Sequence, residues 1–428
     1  MAGRRHPPNA QLRSVRELDL QMSRSEFARF VVDTGAGMGE NVGCTARLVA
    51  AWEDGDVALP RAVYRRILTR ISGRAMSELG FTATPAPASA TTSHLSQASV
   101  DRRDFLLDGA GAALALLPLP AERTGRIGAA DVRTVTRTVT AIYAHDTEHG
   151  SAQLRRSAST AMHTAYQWLQ DGSYTERTGR QLRIATGHLS VAAGWLSFDS
   201  GRPADARSLY GEALAAARIA DDRALEGHAF GCLSLVAKAS GRPREAVAAA
   251  QGAQSAVRTY GSARMLALMA MREAGGWALL GDASATDRAI VRAHHLYAQG
   301  PAEADPDWLT FFTPAELAGL EALARADLDQ HERAAAGAEQ AVLLHGDQFA
   351  RNRALYLGDV AIQHAVRSRP EPEAAAEAAH RVLSYLPDVR SDRLLRQLHN
   401  VAGALQRHTA VPEVADWLDA YRTTTASS

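Results

Sequence analysis

Lysine is almost missing from this chain. Lys238 is the single one in 428 residues, so cationic chemistry falls to arginine, whose planar, permanently charged fork suits carboxylates, phosphates and base edges. The bias fits a GC-rich coding sequence. Cysteine is equally scarce: Cys44 and Cys232 lie far apart and supply no disulfide framework, which suits a reducing compartment. No apolar run reaches the roughly 18 residues that a membrane-spanning helix needs. With 46% hydrophobic and 22% charged residues, the chain reads as globular, without a membrane partner, and cytoplasmic. Net charge is absent as well, because 47 basic residues match 47 acidic ones. No global field steers the protein onto polyanions, and any nucleic-acid surface must be local. Residues 1–80 do hold twelve arginines against nine acids, a local surplus of three.

Catalytic signatures are missing too. There is no phosphate-cradling glycine loop, Gly-x-Ser-x-Gly elbow or kinase motif, so neither an enzyme nor a cofactor is expected. His145 and His149 stand four apart but lack the His-Glu-x-x-His order and a nearby cysteine pair, so they read as helix surface rather than as metal ligands. The adjacent His294 and His295 point to different helical faces. Asp101-Arg102-Arg103-Asp104-Phe105-Leu106 followed by apolar Gly109–Pro120 has the look of a twin-arginine export signal. It sits behind some hundred residues of chain and is too short to span a bilayer, so a docking helix is the plainer reading. Cys44 is either a redox-sensitive thiol or a small buried filler.

What is present divides the chain. Residues 1–81 alternate short apolar-periodic stretches with polar breaks; residues 82–100, nearly all Ala, Ser, Thr and Pro, cannot build a core and read as a flexible linker. Residues 101–128 read as an apolar connecting helix. Residues 129–428 are rich in Ala and Leu at helical spacing and poor in strand signals. The expected fold class is therefore all-α.

Within 129–428 a pattern recurs. Gly201-Arg202-Pro203-Ala204-Asp205-Ala206 is restated as Gly241-Arg242-Pro243-Arg244-Glu245-Ala246 and again around Gly281-Asp282-Ala283, at intervals of forty residues. The glycine closes one helix in a left-handed cap, and the small alanines let the next helix pack tightly. Weaker turns follow near Asp329-Gln330-His331, Ser368-Arg369-Pro370 and His408-Thr409, giving six helical hairpins. The pattern resembles tetratricopeptide repeats, whose period is nearer 34 residues, and implies an α-solenoid. Residues 299–313, with Trp308, Phe311 and Phe312, interrupt it as a longer loop that either covers a groove or fills a packing gap.

In residues 1–81, helices are predicted from Leu12, from Ser23 as N-cap, from Thr45 to Trp52-Glu53-Asp54-Gly55, and over 61–71. These residues resemble the Cro/C1-type helix-turn-helix family (the XRE family), with Trp52-Glu53-Asp54-Gly55 after the recognition helix as the best match. The chain as a whole looks like an actinobacterial regulator joining such a domain to tetratricopeptide repeats, and is similar in outline to the peptide-sensing regulators of Gram-positive bacteria. That resemblance implies a homodimer on double-stranded DNA. It places Arg24 where the family has its helix-two glutamine, Ser25 and Thr45 at helix starts facing phosphates, Arg47 in the major groove, and Arg61 and Arg65 on the backbone. Two features depart from the family. A glycine-rich stretch, 33–43, is expected as a long loop between helices two and three, and Ala46, Ala50 and Ala51 occupy recognition positions. Trp52 reads as a core anchor.

The concave face of such a solenoid is lined by the first helix of each hairpin. His188, Trp195, Arg351, Asn352 and Tyr356 are the candidate ligand residues there, for a peptide, small molecule or protein. Trp195 reads equally as packing between hairpins. Two functions stay open: a ligand-responsive DNA-binding transcription regulator, and an adaptor scaffold whose N-terminal domain no longer reads DNA.

Overall fold

A computed structural model describes residues 9–20, 22–38, 40, 42–55, 57, 60, 62–72, 74, 76, 79–81, 119, 126–149, 154–346, 349–387, 389 and 391–426. The linker expected over 82–100 and nearly all of the connecting helix expected over 101–128 lie outside the described residues, as does Arg61. The described residues are helical with no strand, and the chain divides into two compact units, 1–99 and 100–428.

The first unit contains α1 (Ala10–Ser14), which continues as a π turn over Val15–Asp19, then α2 (Arg24–Gly37), α3 (Ala46–Glu53) and α4 (Ala62–Ser72). Ser23 caps α2 with a full capping box to Glu26, and the Thr45 hydroxyl caps α3 by accepting from the Leu48 amide. Leu12, Phe27, Val31, Val49, Trp52, Ile67 and Leu68 form the core. Trp52 is buried in it, edge-on to Tyr64 at 5.1 Å.

The loop expected over 33–43 is shorter than that. Helix α2 runs on through Gly35 and Gly37, and the connection to α3 begins at Met38. The reason is packing: a Cβ at Gly35 would meet Val42 Cγ2 at 2.9 Å and Ile67 Cδ1 at 3.0 Å, so glycine serves close approach inside a helix rather than ending it.

The second unit opens with a helix pair, α5 (Ala129–His149) and α6 (Arg155–Asp171). Six hairpins follow: α7 (Glu176–Asp199) with α8 (Pro203–Ala220), α9 (Arg223–Ala239) with α10 (Pro243–Val257), α11 (Ala263–Leu279) with α12 (Ala283–Tyr297), α13 (Pro314–Asp327) with α14 (His331–Leu344), α15 (Ala350–Val366) with α16 (Pro372–Leu383), and α17 (Asp392–Leu405) with α18 (Pro412–Ala426). Each packs on its partner and on the next pair, which is a solenoid of tetratricopeptide type.

The turns of the first four hairpins are built alike. Gly201, Gly241 and Gly281 have φ of 73°, 67° and 76°, and Asp329 takes the same left-handed place at 55°. In each, the following amide closes back on the helix: Arg202 to the Ser197 carbonyl at 2.9 Å, Arg242 to Ala237 at 2.9 Å, Asp282 to Trp277 at 3.1 Å, and Gln330 to Arg325 at 3.0 Å. Pro203 and Pro243 then start the second helix where no amide is needed.

One contact departs from a simple array, in which each repeat meets only its neighbours. Helix α15 packs against α5, so the solenoid turns back onto its own beginning.

Candidate functional site

That return encloses a cavity. Its walls come from α5, α7, α9, α11, α13, α15 and α17, the first helix of each pair, together with the 299–313 loop. The cavity volume is about 200 Å³. This is room for a small organic molecule.

Four of the five candidate ligand residues meet here. Trp195, Arg351, Asn352 and Tyr356 line the cavity, while His188 stands one layer back, its ring 6.2 Å from that of His228. Arg351 is buried and pairs at 2.5 Å with Asp146, which also accepts the Trp195 Nε1–H at 2.7 Å. Asp199, fully buried, is 4.0 Å from the same guanidinium, which lies 5.2 Å over the Trp195 ring. Burial pushes the Asp146 carboxyl above its ordinary range against the pull of Arg351. This cluster joins α5, α7 and α15, and closes the cavity at the seam.

Further polar groups sit where an amphipathic pattern gave no reason to look. Arg272 comes from α11 and Arg393 from α17; Glu316 accepts from Asn352 Nδ2 at 3.0 Å, and Asp359 from Gln397 Nε2 at 2.6 Å. Burial raises both carboxyls, Asp359 to about 6. Burial also depresses Arg272. His228 lies far below its usual range, through burial first and then the neighbouring His188, so the pair is neutral at pH 7.

The interrupting loop does both things open to it. Trp308 and Phe311 face the cavity, with Trp308 stacked on His228 at 3.6 Å and 8°, while Phe312 is fully buried in the core beneath.

In the first unit the predicted contact residues separate into two sets. Arg47, Ser25 and Thr45 are exposed. Arg24 is turned to the protein: its Nε donates to Glu53 at 2.7 Å and its Nη2 to Asp54 at 3.4 Å. Glu53, fully buried, also accepts from Arg16 Nε at 2.6 Å. Burial pushes Glu53 up, yet these hydrogen bonds outweigh it and hold the carboxyl below its ordinary value. The Trp-Glu-Asp-Gly segment thus ties α1, α2 and α3 together. Arg65 is half-buried.

Other chemistry is limited by the same physics. Burial pushes Cys44 up to about 11 and Cys232 to about 12, so both are thiols rather than thiolates near neutral pH. No group of three metal-ligating side chains occurs among the described residues; the side chains of His145 and His149 lie outside them. His294 binds Glu321 at 2.8 Å. No helix among the described residues is long and apolar enough to cross a membrane.

No protein-family model matches the chain, and no curated protein does. Among solved structures it is similar to a signal transduction ATPase with numerous domains that carries a tetratricopeptide repeat sensor, from Pyrococcus horikoshii. Identity is 11% with a TM-score of 0.37, over 68% of this chain and 46% of that one, so the chain spans less than half the length of that neighbour.

Proposed function

We propose that this is a non-enzymatic transcription regulator of the helix-turn-helix type, in which α2 and α3 engage double-stranded DNA and the helical-repeat cavity binds an effector. The observation that carries the reading is Arg47, exposed on the first turn of α3, while Val49 and Trp52 of the same helix are buried. A short helix pinned by its back face and capped by Thr45 offers its guanidinium outward, as major-groove readout requires. Ser25 at the start of α2 and Thr45 supply phosphate-facing helix ends, and Arg65 a backbone contact. Arg24, held by Glu53, belongs to the scaffold of that surface.

Regulation on this reading is a population shift. An effector that prefers one curvature of the solenoid biases the spacing of two recognition helices in a cytoplasmic homodimer. The test is binding of the full chain to duplex fragments from upstream of its own and neighbouring genes, across a salt series. We expect log affinity to fall steeply with log salt, and Arg47→Ala to weaken binding by about 1–3 kcal/mol at its preferred fragment. A slope near zero, with no effect of Arg47→Ala, would instead favour an adaptor scaffold.

A further inference from the structure

We propose that the cavity takes a small amphipathic oxyanion, a carboxylate on an aromatic or branched apolar body, with Arg272 and Arg393 holding the oxygens. This deepens the effector-binding half of the reading above and rests on it.

Donors and acceptors in the cavity do not pair off completely. Every cavity acid is already engaged: Asp146 by Trp195 and Arg351, Glu316 by Asn352, Asp359 by Gln397. Lys238 is paired with Asp327 at 2.6 Å. Arg272 and Arg393, by contrast, have neither a hydrogen bond nor an ion pair among the described residues, and Arg393 only lies 5.9 Å from the Phe198 ring centroid. Each guanidinium carries five N–H donors and no acceptor. A sheltered site with surplus donors is completed by a ligand rich in acceptors.

Charge points the same way. Glu316 lies near enough to act on both guanidinia and to offset part of the repulsion between Arg393 and Arg272, and an oxyanion hydrogen-bonded between them relieves the rest. The forked geometry matches a carboxylate. The same cavity wall carries aromatic and aliphatic groups, with Trp308 on its His228 stack, Phe311, Phe349 and Leu355. Such a surface fits a flat or branched apolar body.

The test uses the full chain and two matched fluorescent probes. 8-Anilinonaphthalene-1-sulfonate is an oxyanion on a two-ring aromatic body, and N-phenyl-1-naphthylamine is the same body without charge. The anionic probe should bind saturably at one site per chain, roughly tenfold tighter than the neutral one or more. Arg272→Gln and Arg393→Gln should each weaken the anion roughly tenfold while leaving the neutral probe within about twofold. Naphthalene-1-acetate should displace the anionic probe, and its amide should not. Equal binding of the two probes, multiple weak sites, or variants that lose both or neither would overturn the proposal. Circular dichroism melts of the variants, with the exposed Arg422→Gln as control, separate site loss from unfolding. DNA affinity is measured in parallel: DNA binding without anion binding sinks this inference alone, and anion binding without DNA binding sinks the regulator reading alone.

Discussion

The seam of the solenoid makes a demanding test. Arg351→Met removes the guanidinium that pairs at 2.5 Å with Asp146 and stands 4.0 Å from Asp199, all three side chains being buried. Removing one partner of a buried pair costs about 3–5 kcal/mol, because the remaining charge is left uncompensated. Here two carboxylates are left, so the upper part of that range is expected at pH 8. The penalty belongs to the charged form. Burial already holds Asp146 above its ordinary value, and losing Arg351 raises it further, so the native variant binds more protons than its unfolded chain. Its stability therefore falls as pH rises and recovers in mild acid. Urea unfolding followed by tryptophan fluorescence and circular dichroism at pH 8.0 and 5.5 gives the difference from the unmodified chain at each pH. It should shrink by at least about 1 kcal/mol at the lower pH. Adding Asp146→Asn should restore about half the loss, since the pair is then removed together. A loss below about 1 kcal/mol at pH 8.0, or the same loss at both pH values, would show that the seam is wet and that Asp146 and Arg351 are not coupled.

Two further outcomes follow from packing and protonation. Gly319→Ala should destabilise by about 1–2 kcal/mol net in thermal melts, because the added Cβ would fall 2.1 Å from Tyr356 Cζ and overpacking outweighs the roughly 1 kcal/mol that alanine gains in a helix; Gly211→Ala on α8, with nothing near its Cβ, should stabilise by about 0.5–1 kcal/mol. His345 is buried and held down to about 4, by burial first and then by Arg353, so the unfolded chain binds more protons below pH 6.5 and stability is lost as pH falls. Between pH 7 and 5 this amounts to about 2 kcal/mol, which His345→Gln should remove from the pH profile; an unchanged profile would refute the assignment.

How much could be read from the residues depends on the range of the interaction that fixes each feature. The first four hairpins were legible because each turn carries its own cause: a residue able to enter the left-handed region at Gly201, Gly241, Gly281 or Asp329, then a helix start. Trp195, Arg351, Asn352 and Tyr356 were legible as cavity residues because repeat geometry sends the first helix of each hairpin to the concave face. The end of α2 was misread because Gly35 looks like a breaker locally, and only its distance to Ile67 shows that it is a packing site. Arg272 was missed, though it left a trace. In Met265–Ala278 the buried residues surround the helix, and a single arginine beside Glu273 is out of character for so apolar a stretch. The pairing of Asp146 with Arg351 left no trace at all, since two residues so distant in sequence meet only once the whole solenoid has turned.

The seam fixes position more than it adds stability. A buried ion pair is a weak adhesive, because apolar side chains of the same volume hold a contact equally well. What charges supply is position: apolar faces tolerate sliding, whereas a carboxylate that accepts from Trp195 and pairs with Arg351 favours one arrangement. The α5–α15 contact is thus fixed in register yet costly to keep dry, and it borders the same cavity in which Arg272 and Arg393 have neither a hydrogen bond nor an ion pair among the described residues. An oxyanion entering there adds negative charge near Arg351 and shifts the balance that holds Asp146 ionised. Occupancy of the cavity and closure of the solenoid therefore act on one electrostatic network, so anion binding should change the pH dependence of unfolding of the unmodified chain more than that of the Asp146→Asn/Arg351→Met chain, in which only Glu316 and Asp359 remain to respond.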